Sequence, residues 1–456
     1  MGEREEYTKQ LKAYIKLGLP MMIGSMAVVL ISWGDTIMIS KLGNNVALSA
    51  AQLANQICSI PLLFLIGLSA ILAPLIASAK VHKDYEKATK ILQHVITINL
   101  VFGILSTVLI ISFTSELHRL GQSKEVTAFT KDYLCIIGMS IIPNAINNAI
   151  KKYLEALGWT FTTMCTTVLA GILNVCLNYI LIYGKFGFPQ LGLNGAGWAT
   201  LATRTLFMCI YITYIFMLKN KGYMLPFSKQ LFEESLFIKL FKLGLPSGLD
   251  LAVKMAYYTT GIILLGWCIN QEVAQASTGF IFDILRFIIM LPLAINSSAS
   301  ILIGKQWGRK SKLNIIRVAK LGYTLALALM LLTALTLHAT YPIILSNFYS
   351  PTQEVDHLIK LLFPLIILFY FADGFNLVSV GMLRGLHDTF VPFLLSGFAY
   401  ACIGAPTSYI AFKLHYQASG VWTGLIVGLL CSALLLTIRF YYKAKYIKLP
   451  SYYTAE

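Results

Sequence analysis

Long apolar runs separated by short polar connections fill this chain from about residue 17 to residue 441. Each run approaches or exceeds the ~20 residues that a helix needs to cross a hydrocarbon core of about 30 Å. Twelve are counted, with approximate bounds 17–40, 47–78, 88–114, 127–150, 159–183, 191–218, 243–268, 274–304, 318–341, 358–383, 390–412 and 417–441. In lipid every backbone polar group must be satisfied internally, so runs of this length predict helices and not strands. Nothing is left over for a soluble domain, and the polar first sixteen residues do not read as a cleavable signal peptide.

The pattern also repeats. Lys16-Leu17-Gly18-Leu19-Pro20 returns letter for letter as Lys242-Leu243-Gly244-Leu245-Pro246, 226 residues later in a chain of 456. A second echo pairs Leu154, Leu157, Thr160 and Phe161 with Leu383, Leu386, Thr389 and Phe390, and a weaker one pairs Pro143 with Pro364. Internal duplication in an apolar chain predicts a transporter whose binding site lies between its halves. Six helices per half is an even number, so both halves enter the membrane with the same polarity. The expected fold is therefore all-α and integral to the membrane: twelve transmembrane helices in two six-helix lobes, related by a pseudo-two-fold along the membrane normal. The lobes are expected at 1–218 and 243–456, joined by a basic cytoplasmic linker at 219–242. The repeated proline reads either as a tolerated first-turn residue or as a bend point in two equivalent helices.

Composition agrees with this class: 57% of residues are hydrophobic, 12% are charged, and mean hydropathy is +0.71. The net charge of +16 would suit a nucleic-acid binder, but its placement argues otherwise. With the N-terminus inside, 26 Lys and Arg fall in inner segments and 7 in outer ones. That is the positive-inside bias, and it predicts cytoplasmic termini, attraction to anionic membrane lipid and no nucleic-acid partner. The eight cysteines lack any Cys-x-x-Cys spacing and read as small apolar packing residues. No phosphate loop, metalloprotease motif or histidine ligand spacing is present, so the chain reads as no enzyme and no cofactor is expected.

Ionisable residues inside spans are costly, which makes them functional candidates. Four acids (Asp35, Asp250, Asp283, Asp373) and three bases (Arg204, Lys254, Arg286) lie well within apolar runs. At ~1.5 Å per residue, Asp35 lies about 28 Å above the cytoplasmic edge, with Asn174 and Asn178 at about 22 and 28 Å. The two asparagines are four apart and share a helix face. One carboxylate with two amides reads as an oxygen cage for a sodium ion, or as a protonation site. In the second half, similar depths suggest cross-pairing of Lys254 with Asp283 and of Asp250 with Arg286. That leaves Asp373 as the surplus acid that takes a proton or cation, against the alternative of a purely structural charge network. Met38, Phe64, Tyr257, Phe282 and Phe287 are candidate linings of a permissive substrate cavity.

Lys16 to Pro20, Trp33-Gly34-Asp35-Thr36, Leu177 to Gly187, Gly195-Ala196-Gly197-Trp198-Ala199-Thr200 and Leu383-Arg384-Gly385-Leu386-His387-Asp388 resemble the MATE multidrug exporters of the NorM branch, over essentially the whole chain. The resemblance implies an antiporter of the bacterial inner membrane that expels small cationic amphipathic drugs in exchange for H+ or Na+, its two lobes rocking by alternating access. It marks Asp35, Asn174 and Asn178 as the coupling site of the first lobe and Asp373 as the acid of the second. It also marks a departure: Lys254 stands where NorM-type members usually carry a glutamate, which weakens the case for a second sodium site. A monomer is expected. A lipid-linked oligosaccharide flippase is the main rival, and would want several cavity bases. An intramembrane hydrolase is a more distant rival and would want two unneutralised aspartates.

Overall fold

The computed structural model describes residues 3–43, 45–120, 123–218, 233–348 and 352–446. Those residues are helical throughout, without strands. The helices are α1 (Glu3–Ser40), α2 (Asn45–Ser69), α3 (Leu72–Val81), α4 (Tyr85–Phe113), α5 (Lys124–Met139), α6 (Ile141–Ala156), α7 (Thr160–Tyr183) and α8 (Gly192–Leu218). The second half adds α9 (Glu234–Leu265), α10 (Gln271–Ile288), α11 (Met290–Gly308), α12 (Lys312–Phe348), α13 (Gln353–Gly385), α14 (Phe390–Phe398), α15 (Ala405–Ala411) and α16 (Gln417–Tyr446). Eleven spans among the described residues are long and apolar enough to cross a bilayer. The twelfth helix of the fold is α9, which carries Asp250 and Lys254 in its apolar stretch.

Three of the expected spans are each two helices in tandem, and one residue type accounts for the breaks. α2 gives way to α3 at Ala70-Ile71, α5 to α6 at Ser140, and α10 to α11 at Ile289. In each case a proline, Pro74, Pro143 or Pro292, stands at the third position of the second helix. Proline has no N–H for the carbonyl four residues back and its ring crowds that carbonyl, which disfavours an unbroken helix across it. Pro392 likewise stands at the third position of α14. The span that begins there then continues through π-helical turns at Ala399–Gly404 and Phe412–Tyr416.

Packing divides the chain at Met22/Ile23 and at Gly248/Leu249. One unit is Ile23–Gly248; the other is Met1–Met22 with Leu249–Glu456. These differ from the expected lobes 1–218 and 243–456 in that the opening turns of α1 belong with the second half and those of α9 with the first. Each division falls two residues after the repeated proline. Pro20 and Pro246 are both interior to long helices, because α1 starts at Glu3 and α9 at Glu234. Neither is a first-turn residue. Of the expected linker 219–242, residues 219–232 lie outside the described residues and 234–242 are already helix.

In the unit Ile23–Gly248 a small-residue face of α2 (Ala47, Ala50, Ala51, Ala54, Cys58) packs on Leu134 and Ile137 of α5 and on Ile141 and Ala145 of α6. Small residues let helix backbones approach where no water drives them together. Of the eight cysteines, Cys58 and Cys268 are buried, Cys135 and Cys431 half-buried, and Cys165, Cys176, Cys209 and Cys402 exposed. The packing role therefore applies to some of them only. α7 ends in Gly184, which takes a left-handed conformation (φ 64°), and the chain turns back so that Leu191 N–H bonds Leu181 O at 3.0 Å. α8 then crosses so closely that a Cβ on Gly195 would lie 2.5 Å from Leu181 O. In the other unit Tyr14 Oη of α1 donates to Val318 O of α12 at 2.9 Å, and Trp422 of α16 is fully buried.

Gly195→Ala is expected to cost about 1–3 kcal/mol, because a backbone carbonyl cannot move aside as a side chain can. Gly279→Ala, where nothing lies within 4 Å, is expected to be neutral or stabilising. Thermal unfolding of the two purified variants in detergent checks the contrast.

Candidate functional site

The three residues expected at the first site come together in the unit Ile23–Gly248. α1 and α7 are held side by side by the Tyr183 hydroxyl, which donates to Met38 O at 2.9 Å. One turn away, Asn178 Nδ2 donates to Asp35 Oδ1 at 2.5 Å and to Asn174 Oδ1 at 3.2 Å. Asn174 and Asn178 are buried, Asp35 is half-buried, and Asn178 Oδ1 is buried without a hydrogen-bond partner. One amide N–H thus occupies the centre of an otherwise all-oxygen cluster. Rotating that amide would replace the donor with an oxygen, leaving three oxygens facing one another, a ligand set suited to a small hard cation. Arg204 is turned elsewhere, its Nη1 donating to Ser140 Oγ at 2.7 Å.

The charges of the second site are arranged differently from the sequence expectation. Lys254 forms a buried ion pair with Asp373 of α13 and not with Asp283. Its Nζ also donates to Asn376 Oδ1 at 3.3 Å and stands 5.9 Å from the centre of the Tyr258 ring. Asp283 and Arg286 form a loose surface pair with each other at 3.9 Å, with the Arg286 side chain 71% exposed. They sit on an exposed face of α10. Depth along a helix sets them level with Lys254 and Asp250, but rotation about the helix axis turns them away. Asp373 is therefore no surplus acid, because Lys254 neutralises it. The acid without an ion-pair partner is Asp250, which is buried and whose Oδ1 has no hydrogen-bond partner.

The residue that sequence reasoning misses is Arg384. Hydropathy alone assigns it to an inner loop, yet it lies in the last turn of α13, buried. A signal for this exists in the helix length: α13 begins at Gln353 and runs unbroken through Arg384-Gly385, and Gly385 is where α13 meets Ile303 of α11.

Two of the five candidate cavity residues are packing groups in their own unit. Tyr257 is buried, with its hydroxyl donating to Gly424 O and Leu425 O at 2.9 and 3.0 Å and its ring stacked on Tyr400. Phe282 lies in an aromatic cluster with Tyr258, Phe369 and Trp422. Phe64 packs on Phe102, Met38 borders the core around Ile39, and Phe287 is half-buried on α10.

The MatE family model matches residues 20–180 and 246–410, so that each matched segment begins at one copy of the repeated proline. The chain belongs to the MatE family. It is thus a membrane transporter and not an enzyme. Among relatives, a probable multidrug resistance protein NorM of Rhizobium meliloti is 28% identical over 447 residues, covering 94% of this chain and 93% of that one. A probable multidrug resistance protein NorM of Bacillus anthracis is 29% identical, covering 97% of each. Among solved structures, the eukaryotic MATE transporter AtDTX14 superposes with a TM-score of 0.87 at 18% identity, over 96% of this chain and 98% of that one. A MOP superfamily transporter from Pyrococcus furiosus superposes at 0.86 and 21%, over 96% of each. These last two establish the MatE fold, six helices to a lobe, and nothing about cargo.

In this MatE chain the Lys254–Asp373 pair is a stability element with a measurable signature. Lys254→Met leaves a buried carboxylate without its counter-ion and is expected to cost about 3–5 kcal/mol. Lys254→Met combined with Asp373→Leu is expected to recover most of that loss, because removing both charges of a buried pair costs far less than removing one. Unfolding midpoints of the single and double variants in detergent check this.

Proposed function

We propose that this protein is a secondary active multidrug exporter that releases cationic amphipathic compounds in exchange for H+ or Na+ by alternating access. The reading places it in the bacterial inner membrane with both termini cytoplasmic, acting as a monomer. The observation that carries it is the cluster at Asp35: one carboxylate and two amides inside spanning helices, with no base bonded to the acid among the described residues. The names of the NorM relatives support multidrug cargo.

Asp35 is the coupling residue in this reading. When it is ionised, it holds Asn178 N–H and favours a positively charged drug. When a proton or sodium ion arrives, the negative charge is cancelled and Asn178 is free to rotate its oxygen inward. Drug and ion then stabilise different states of the same site, which is the differential binding that exchange requires. The oligosaccharide flippase reading is disfavoured because Lys254, a buried base of the second unit, is already paired with Asp373 and is not free to hold a pyrophosphate lipid. The same pairing disfavours an aspartyl hydrolase, which needs two unneutralised carboxylates sharing a proton.

The test is ethidium efflux from liposomes holding purified protein, with proton and sodium gradients imposed separately. The expected result is efflux driven by one of the two gradients, which names the ion, and a loss of about 5- to 150-fold in Asp35→Asn, the usual span of a coupling free energy. Absence of efflux under both gradients, or unchanged driven efflux in Asp35→Asn, would overturn the reading.

A further inference from the structure

The turn that follows α13 has a counterpart in the first half, and different chemistry holds each of them to its neighbouring helix. Asp388 N–H closes the turn on Leu383 O at 3.0 Å, after His387 has taken a left-handed conformation (φ 56°). Trp159 N–H closes the turn after α6 on Leu154 O at 2.9 Å, after Gly158 at φ 87°. Trp159 and Asp388 are 229 positions apart, as are Leu154 and Leu383, and the same offset leads from Tyr214 of α8 to Lys443 of α16. In the first half Trp159 and Tyr214 meet edge to face, their ring centres 5.9 Å apart. In the second, the Asp388 carboxylate takes Arg439 Nε at 3.0 Å and Lys443 Nζ at 3.1 Å on a single oxygen, Oδ2. An aromatic contact is enough to hold such a turn, so the charges call for a further reason.

The cluster carries a net charge of +1. Asp388 is buried, and Arg439 and Lys443 are half-buried, one turn apart on α16. One buried carboxylate thus fixes two cationic heads side by side, and among the described residues no second acid pairs with either of them. Arg439 spends its Nε edge on Asp388, which leaves two Nη groups, and guanidinium donors match the oxygens of a phosphate. Beside the two bases α16 is apolar. Leu430, Leu434, Ile438, Tyr442 and Tyr446 recur every four residues and are all exposed. Arg439 and Lys443 each stand one position beyond a member of that row. At ~1.5 Å per residue, Leu430 to Tyr442 covers about 18 Å, close to one leaflet of a ~30 Å hydrocarbon core. Tyrosine is the residue type of the membrane–water boundary, and the row turns from aliphatic to tyrosine at the level of the two bases.

We propose that Arg439 and Lys443, positioned by Asp388, bind the phosphodiester of an anionic phospholipid whose acyl chains lie along Leu430, Leu434 and Ile438. The single negative charge of the lipid brings the cluster from +1 to zero. Asp388 is a positioning residue: it holds the two bases at one level and is itself covered. A free phosphate ion would meet the same bases but make no use of the apolar row. A zwitterionic lipid would bring a further cation to a cluster that is already positive. The site belongs to the second half alone, because Ile210 and Tyr214 of α8 stand at the positions of Arg439 and Lys443. It depends neither on the cargo nor on the coupling ion proposed above.

The test titrates purified full-length protein in detergent with phosphatidylglycerol, with phosphatidylcholine and with inorganic phosphate. Native mass spectrometry reads bound lipid and thermal unfolding reads stabilisation. Phosphatidylglycerol is expected to bind wild type more tightly than phosphatidylcholine and to raise its unfolding midpoint, and inorganic phosphate to do neither. Lys443→Gln keeps Asp388 paired with Arg439 and removes the excess charge. Its affinity for phosphatidylglycerol is expected to fall about fivefold, the attraction of one basic residue for an anionic lipid surface, with its affinity for phosphatidylcholine unchanged. Lys445→Gln removes a base that lies over Tyr446 and outside the cluster, and is expected to change neither affinity. Asp388→Trp with Arg439→Ile and Lys443→Tyr installs the residues of the first half and is expected to bind the two lipids equally. Equal affinity of wild type for the two lipids would overturn the proposal. So would equal losses in Lys443→Gln and Lys445→Gln, the mark of a diffuse attraction, or displacement of phosphatidylglycerol by millimolar inorganic phosphate, which would make the ligand a free ion. Failure of ethidium efflux would leave these affinities unchanged and bears only on the function proposed above.

Discussion

A charge inside a spanning helix must be partnered, because hydrocarbon offers it neither water nor counter-ion. That requirement organises both halves of this protein, and the halves meet it in different ways. At Asp35 the partner is a neutral amide, that of Asn178, which stabilises the carboxylate without cancelling it. Along α9 and α13 the partners are other charges, and Asp373 is cancelled by Lys254. The first solution leaves the carboxylate's charge uncancelled by any base bonded to it among the described residues. The second uses up its cation-binding capacity internally, at a position where relatives of the NorM type are expected to carry an acid. The two halves, which share the repeated Lys-Leu-Gly-Leu-Pro phrase, thus differ in the electrostatics of their interiors.

Much of this is legible in the residues. Hydropathy locates the spans, and counting ~1.5 Å per residue brings Asp35, Asn174 and Asn178 to one level, where the structure also finds them bonded. The same arithmetic fails for Asp283 and Arg286. Depth is one coordinate; azimuth about the helix axis is the other, and α10 turns these two to an exposed face. A hydrophobic-face argument would warn of this, since an exposed i, i+3 pair of opposite charge is common on a helix surface. Arg384 escapes a hydropathy reading because α13 is longer than its apolar run and buries its last turn.

A proline stands just after each of three breaks in the spans, but not every proline breaks its helix. Pro74, Pro143 and Pro292 stand early in a helix and mark breaks in spans that hydropathy reads as continuous. Pro20 and Pro246 stand deep inside helices that do not break. Both of these carry Gly-Leu immediately before them, and a Cβ on either glycine would meet its neighbours: Ser298 at 3.1 Å for Gly18, and Leu68 at 3.3 Å for Gly244. The repeated phrase therefore combines close backbone approach with a missing hydrogen bond at the place where α1 and α9 each leave one packing unit for the other.

Such an exchange of opening turns bears on how a chain of this kind could arise and be taken apart. Neither sequence repeat contains a whole packing unit; each lends its first turns to the other. A half-length ancestor would have had to complete itself by trading those turns with a second molecule, at a cost set by its concentration in the membrane. Carrying both halves on one chain makes that completion a first-order event with a high effective concentration. Covalent continuity of the two halves is in that sense what makes the swap independent of expression level.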